Sequence, residues 1–156
     1  MTIEVGMKAP DFSLFDSDKN KVTLSELAGQ NVLILFFPQA FTGVCTTELC
    51  SVRDNMAKYD LLNAKVLGIS VDSIFTLAKF KAEQNFNFTL LSDFNKEVCA
   101  AYGSFYETFV FDMKGVAKRS AFIIDKAGHI RYAEVLESAA NIPNFEAIQA
   151  TLEGLA

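Results

Sequence analysis

The sequence has no tryptophan, one histidine and three cysteines. Three cysteines are too few for a disulfide scaffold, and their odd number leaves at least one thiol without an intramolecular partner. A single histidine and the absence of a Cys-x-x-Cys pair give no basis for a zinc site, which draws mainly on these two residue types. We therefore interpret the cysteines as chemical rather than structural residues, and we expect no metal cofactor.

Long hydrophobic runs and an excess of positive charge are also missing. The longest apolar stretches, such as residues 32–37, have the length of a strand and are too short to span a membrane. The formal net charge is −5 and no basic cluster is present, so we expect neither nucleic acid nor an anionic membrane as a partner. Residues 1–6 lack the charged start and apolar block of a signal peptide, which makes the cytoplasm the simplest location.

Hydrophobic side chains, in contrast, are abundant. They make up 51% of the 156 residues, and fifteen of them are phenylalanine. This is enough to fill a sizeable core, and no repeat, low-complexity tract or Pro/Gly-rich linker divides the chain. We therefore expect a single domain that covers residues 1–156.

Apolar periodicity predicts a βαβ unit in the first half of the chain. Residues 32–37 and 65–71 read as two strands, the first of them buried and central. Between the strands, apolar residues recur at steps of four and three, which predicts one face of a helix formed by Cys45, Leu49, Val52, Met56 and Tyr59. Two strands joined in this way are expected to pair in parallel.

The rest of the pattern completes an α/β fold. Further strands are predicted at residues 12–16, 21–24, 89–92, 121–125 and 130–135, and further helices at residues 73–84, 95–102 and 144–155. This order is expected of a thioredoxin-like fold, with a central mixed β-sheet flanked by helices. Residues 104–118 are irregular and rich in phenylalanine, so they are a surface for a partner, a contact between subunits or ordinary core.

Cys45 is predicted to lie at the beginning of a helix. Thr42 is a suitable N-cap residue, and it places Cys45 in the first helical turn. Unpaired backbone N–H groups and the positive end of the helix dipole favour a thiolate there, and the thiolate is the nucleophilic form of cysteine. The alternative is that Cys45 is a small apolar core residue, since free cysteine is often buried.

The surroundings of Cys45 resemble those of a known family. Pro38, Thr42 and Cys45 match the Pro-x-x-x-Thr-x-x-Cys signature of the peroxiredoxins. Residues 42–50, followed by the Val-Arg-Asp of residues 52–54, are similar to the bacterioferritin-comigratory-protein branch, and residues 41–43 resemble the alkyl hydroperoxide reductase E type. The order of elements agrees with the family over nearly the whole chain, from residue 6 onward.

The resemblance implies a role for each of four residues. Cys45 would be the peroxidatic cysteine, Thr42 would direct its hydroxyl at the sulfur and the peroxide, and Pro38 would shield the thiolate from water. Arg119, directly before the strand predicted at residues 121–125, matches the arginine that completes the family's site. An arginine stabilises the negative charge that develops on the leaving oxygen. Without the resemblance, Arg119 reads as a surface arginine at a strand end.

The resemblance also implies an activity and its partners. The chain is expected to be a thiol-dependent peroxidase with the peroxiredoxin variant of the fold, acting on hydrogen peroxide or small organic hydroperoxides. Electrons would come from thioredoxin, glutaredoxin or a similar thiol donor. No metal, flavin or haem is needed because the sulfur itself is oxidised and reduced. Relatives often form dimers, so we expect a homodimer.

Cys50 is the candidate resolving thiol, which would condense with the sulfenic acid of Cys45. Residues five apart on an intact helix have Cα atoms roughly 8–9 Å apart, whereas a disulfide needs less than about 7 Å. The first turns of the helix must therefore unwind if Cys50 resolves. Alternatively, an external thiol resolves and Cys50 is a spectator. Cys99 reads as a packed core thiol, and Glu48 either orients an arginine or is solvated.

Two other functions remain open on the sequence. A thioredoxin-type thiol–disulfide oxidoreductase would share the fold, although it normally carries Cys-x-x-Cys, and four residues separate Cys45 from Cys50. A non-catalytic redox sensor would react with peroxide through Cys45 but would not turn over with any reductant.

Overall fold

The computed structural model describes residues 3–156, which form nine strands and five α-helices. The strands are β1 (Ser13–Asp16), β2 (Lys21–Thr23), β3 (Asn31–Phe36), β4 (Ala64–Ser70), β5 (Thr89–Ser92), β6 (Phe105–Tyr106), β7 (Val116–Ala117), β8 (Ser120–Ile124) and β9 (Ile130–Val135). The helices are α1 (Gly43–Asp54), α2 (Met56–Leu61), α3 (Ile74–Gln84), α4 (Glu97–Ala101) and α5 (Phe145–Leu155). Short 3₁₀ turns occupy Leu24–Leu27 and Val110–Asp112.

Seven of these strands form a mixed sheet in the order β2-β1-β5-β4-β3-β8-β9, and β6 and β7 pair separately. β3 lies parallel to β4 and antiparallel to β8, and β4 lies parallel to β5. The parallel pairing of β3 and β4 confirms the predicted βαβ unit. The mixed sheet with helices around it confirms the predicted fold class.

The central strand β3 supplies side chains to the cores on both faces of the sheet. All six of its residues are buried, as expected of a strand that is apolar throughout. Leu33 and Leu35 pack on one face in a cluster with residues of α1, α2, α3 and α5. Ile34 and Phe36 pack on the other face, in a cluster that includes α4. β3 therefore runs through the middle of the molecule, and the loop that follows it begins at the carboxyl end of β3, at the edge of the sheet.

Cys99 belongs to the second cluster, on the face of the sheet opposite Cys45. It is fully buried, and burial raises the pKa of its thiol to about 12. The structure confirms that Cys99 is a packed core thiol.

The helix predicted from a single apolar stripe is two helices in the structure. α1 ends at Asp54, Asn55 leaves the helical region at φ −115° and ψ 13°, and α2 begins at Met56. Met56 and Tyr59 nevertheless stay buried in the same cluster as Cys45, so the stripe correctly identified the buried residues. Within residues 3–156, no helix is long and apolar enough to cross a membrane.

Candidate active site

Cys45 lies in the first turn of α1, as the sequence predicts. Thr42 occupies the N-cap position with an extended backbone at φ −94° and ψ 152°, and its hydroxyl donates a hydrogen bond to the Gln39 carbonyl at 2.9 Å. The loop of residues 37–42 connects the carboxyl end of β3 to α1, and the Cys45 thiol at the beginning of α1 is fully buried. The helix N-terminus favours negative charge on the Cys45 sulfur at this position.

Arg119 reaches Cys45 from the residue before β8. Its guanidinium Nη1 donates to Cys45 Sγ at 3.2 Å and to Glu48 Oε1 at 2.7 Å. Its Nε and Nη2 donate to the Ala139 carbonyl at 3.2 and 3.0 Å, which fixes the plane of the guanidinium. The side chain is 2% exposed, so the interpretation of Arg119 as a surface residue is wrong. A buried cation in contact with the sulfur stabilises negative charge on it.

Glu48 forms the other side of this buried cluster. The carboxyl is fully buried, and its second oxygen, Oε2, has no hydrogen-bond partner among residues 3–156. Burial raises the pKa of Glu48 to about 7, against the opposing effect of Arg119. Burial also acts to lower the pKa of Arg119, but the negative charges of Cys45 and Glu48 together raise it. Glu48 therefore orients the arginine, and the alternative of a solvated side chain is wrong.

A cavity of about 370 Å³ opens onto Cys45. Pro38, Thr42, Cys45 and Arg119 all line it, so the structure brings together four of the five residues that the sequence singled out. One wall is apolar and comes from the irregular segment between β6 and β7, with Phe109, Val110, Phe111 and Met113. A small electrophile in this cavity would meet the sulfur and the guanidinium together.

Cys50, the fifth residue, points away toward α3. Its Sγ donates to Gln84 Oε1 at 3.6 Å, a weak hydrogen bond, and all three cysteines are reduced. Cys45 and Cys50 lie in one continuous helix, α1. A disulfide between them requires this helix to unwind, as the spacing predicts.

Asp72 is a site-forming residue that sequence reasoning missed. One carboxylate oxygen, Oδ2, accepts the backbone N–H of Ala40 at 2.8 Å and the hydroxyl of Ser70 at 2.6 Å. The Ser92 hydroxyl donates to the Asp72 carbonyl at 2.6 Å. Asp72 thus ties the loop before Cys45 to the ends of β4 and β5. The available signal was a carboxylate just beyond a strand parallel to β3, because the carboxyl ends of parallel strands meet at one edge.

Replacement of Asp72 with alanine is expected to lower the free energy of unfolding by about 1–3 kcal/mol, the cost of leaving buried donors unpaired. The oxidation of Cys45 by peroxide should also slow, because the loop that places its helix is released. Urea unfolding and the rate of Cys45 oxidation measure the two effects. The matched control is Ser73→Ala, which removes the N-cap of α3 but does not touch the loop. Equal oxidation rates in the two variants would contradict this role for Asp72.

Comparisons with known proteins show the family to which the chain belongs. A model of the AhpC/TSA family matches residues 5–133. The chain is 40% identical over 136 residues to alkyl hydroperoxide reductase E of Mycobacterium tuberculosis, covering 85% of this chain and 86% of that protein. It is 39% identical over 131 residues to peroxiredoxin Bcp of Escherichia coli K12, covering 83% and 84%.

Solved structures give the same result for the fold. The chain is similar to peroxidoxin BcpB from Mycobacterium tuberculosis, with a TM-score of 0.87 and 29% identity over 99% of both chains. It is also similar to a peroxiredoxin-like protein from Aquifex aeolicus, with a TM-score of 0.90 and 25% identity over 100% of this chain and 90% of that one. The fold is therefore the peroxiredoxin variant of the thioredoxin-like fold. The chain belongs to the AhpC/TSA family and is a peroxiredoxin, a thiol-dependent peroxidase.

Proposed function

We propose that Cys45 is the peroxidatic cysteine and that it reduces hydrogen peroxide or small organic hydroperoxides. The observation that carries this proposal is the 3.2 Å contact between Arg119 Nη1 and Cys45 Sγ at the base of the cavity. A buried arginine in contact with a cysteine at a helix N-terminus stabilises the thiolate, which is the attacking form.

The first step is attack of the Cys45 thiolate on one oxygen of the peroxide. The O–O bond breaks, the attacked oxygen stays on sulfur as a sulfenic acid, and the other oxygen leaves as hydroxide or alkoxide and takes up a proton. Arg119 stabilises the charge on this leaving oxygen, in a cavity where water is partly excluded. Thr42 directs its hydroxyl at the sulfur and the peroxide, which requires it to exchange its hydrogen bond to Gln39, and the buried Pro38 shields the thiolate.

The second step uses Cys50. After the first turns of α1 unwind, Cys50 attacks the sulfenic sulfur and forms a disulfide with Cys45, and the sulfenic oxygen leaves as water. A thiol donor of the thioredoxin or glutaredoxin type then returns two electrons and regenerates both thiols. We further propose that residues 1–156 form one domain, and that the protein acts in the cytoplasm as a homodimer.

The test is to mix the reduced protein with one equivalent of hydrogen peroxide and to follow free thiols and intact mass. Wild type is expected to lose two thiols and two hydrogens, Cys45→Ser to be inert, and Cys50→Ser to stop at a trappable sulfenic acid. Cys99→Ser is the matched control, because its thiol lies on the other face of the sheet, and it should behave as wild type.

Other results would reject parts of the proposal. A wild-type protein that stops at one oxidised thiol would show that an external thiol resolves and that Cys50 is a bystander. Equally slow reaction of wild type, Cys45→Ser and Cys50→Ser would reject Cys45 as the reacting group and favour a thiol–disulfide oxidoreductase. Fast oxidation without turnover by any reductant would favour a redox sensor.

A further inference from the structure

The surroundings of Cys50 differ from those of Cys45, because Cys50 and Arg53 of α1 both contact Gln84 at the end of α3. Cys50 Sγ contacts the side chain of Gln84 at 3.6 Å, and Arg53 Nη1 donates to the backbone carbonyl of the same Gln84 at 2.6 Å. Arg53 is three residues beyond Cys50 on α1, so the two side chains project from neighbouring positions of one helix face. Both therefore meet the carboxyl end of α3 at the same residue.

Arg53 is also tied to the chain that follows α3. Besides the bond from its guanidinium to Gln84, its own backbone carbonyl accepts a hydrogen bond from Asn87 Nδ2 at 3.3 Å. These two contacts link residues 31 and 34 positions apart, and neither depends on the first turns of α1. Unwinding of the first turns of α1 can therefore stop before Arg53, which stays bonded to Gln84 one helical turn beyond Cys50.

The charge of Arg53 interacts with both neighbouring acidic groups. The hydrogen bond from Arg53 Nε to Asp54 Oδ1, at 2.9 Å, is the main cause that raises the pKa of Arg53, and negative charge on Cys50 adds to the increase. Arg53 is the one basic residue of α1, and it lies one helical turn beyond Cys50. The carboxylate of Asp54 lies on the same guanidinium and partly neutralises its charge.

We propose that Arg53 is a positioning residue for the resolving step: anchored on α3, it holds its positive charge beside Cys50 while the first turns of α1 unwind. This inference rests on the proposed role of Cys50 as the resolving thiol. In the step itself, the Cys50 thiolate attacks the sulfenic sulfur of Cys45, the S–S bond forms and the S–O bond breaks. The oxygen leaves as hydroxide and takes up a proton to become water. The sulfenic acid comes from the peroxidase step, so no other oxidant is needed.

The experiment follows intact mass after rapid mixing with peroxide, which separates formation of the one-oxygen adduct from its conversion to the disulfide. Arg53→Gln is expected to leave the formation rate unchanged and to slow the conversion about three- to fivefold, the size expected for one partly exposed charge pair. Arg53→Lys keeps the charge and should convert at close to the wild-type rate. Asp54→Asn removes the opposing carboxylate and should convert at least as fast as wild type.

Several results would overturn the inference. If disulfide formation is as slow in Arg53→Lys as in Arg53→Gln, the hydrogen bonds of the guanidinium to Gln84 and Asp54 matter and the positive charge does not. Unchanged conversion in Arg53→Gln, or slower conversion in Asp54→Asn, would also reject it. If wild type itself forms no disulfide, or if Cys50→Ser still forms one, the proposed role of Cys50 fails as well. A disulfide that forms in wild type and in Arg53→Gln at equal rates rejects this inference alone.

Discussion

Arg119→Met is expected to slow the oxidation of Cys45 by about 10²–10³-fold, the loss observed when one donor to a developing oxyanion is removed. Arg119 Nη1 lies 3.2 Å from Cys45 Sγ, and the guanidinium is the positive charge at the base of the cavity. Its removal withdraws stabilisation from the thiolate before the reaction and from the leaving oxygen during it. The measurement is the second-order rate of Cys45 oxidation by hydrogen peroxide, followed by intact mass or by competition with a known thiol.

The control for this variant is a second substitution, Glu48→Gln. Arg119→Met leaves the Glu48 carboxyl buried without its partner, and breaking a buried ion pair costs about 3–5 kcal/mol when the remaining group stays charged. The double variant Arg119→Met/Glu48→Gln removes that cost, and its rate should still be about 10²-fold below that of Glu48→Gln alone. Equal rates for these two variants would contradict the role of Arg119 at the sulfur. The oxidation rate of Arg119→Lys should fall between those of wild type and Arg119→Met. An ammonium group keeps the positive charge, but it lacks the planar set of donors that bonds Cys45, Glu48 and Ala139 at once.

The position of Cys45 could be predicted from the sequence because it depends on local rules. A run of apolar residues predicted the strand, and the spacing of Cys45, Leu49 and Val52 predicted the buried face of α1. Thr42 correctly marked the N-cap position, although its side chain makes no capping hydrogen bond. Each of these signals acts over a few residues, within the range where side-chain periodicity and capping determine structure. The same rules placed the other main helices and strands to within one or two residues.

The break between α1 and α2 could not be predicted in this way. Asn55 interrupts the helix, yet Met56 and Tyr59 remain on the buried face, so the apolar stripe continues across two helices. Periodicity identifies which residues are buried, but it cannot reveal a break in the helix that leaves the same residues buried. At the break, the side-chain amide of Asn55 donates to the Ser51 carbonyl at 2.8 Å, a local contact of the kind by which asparagine competes with the helical backbone.

The charged part of the site depended on contacts between distant residues. Arg119 and Glu48 lie 71 positions apart, and the hydrogen bond between them follows from the pairing of β3 with β8. From the sequence, only the resemblance to a family pointed to Arg119, and nothing decided whether Glu48 was buried. Asp72 was missed for the same reason, since its partner Ala40 is 32 positions away across the edge of the sheet.

Glu48→Gln is expected to stabilise the protein relative to wild type by an amount that increases by about 3 kcal/mol between pH 4 and pH 8. The pKa of Glu48 is raised from 4.5 to about 7 in the folded protein, chiefly by burial. Between these two values the folded state binds more protons than the unfolded state, so the wild-type free energy of unfolding falls as the pH rises. Above about pH 7 both states have lost the proton and the fall ends. Glutamine does not titrate, so the free energy of unfolding of Glu48→Gln does not fall in this way. The glutamine side-chain oxygen still accepts the hydrogen bond from Arg119.

Urea unfolding of both proteins at several pH values measures the difference, and Glu83→Gln is the matched control because Glu83 is an exposed glutamate whose loss changes net charge alone. A difference that stays constant with pH, or that decreases as the pH rises, would mean that attraction to Arg119 outweighs the cost of burying the Glu48 charge. The direction in which this stability difference changes with pH matters for the site as well as for stability. A neutral Glu48 leaves the charge of Arg119 to the Cys45 sulfur, whereas an ionised Glu48 shares it. The increase in stability expected for Glu48→Gln at neutral pH is therefore the cost, in wild type, of keeping an ionisable acid beside the reactive thiol.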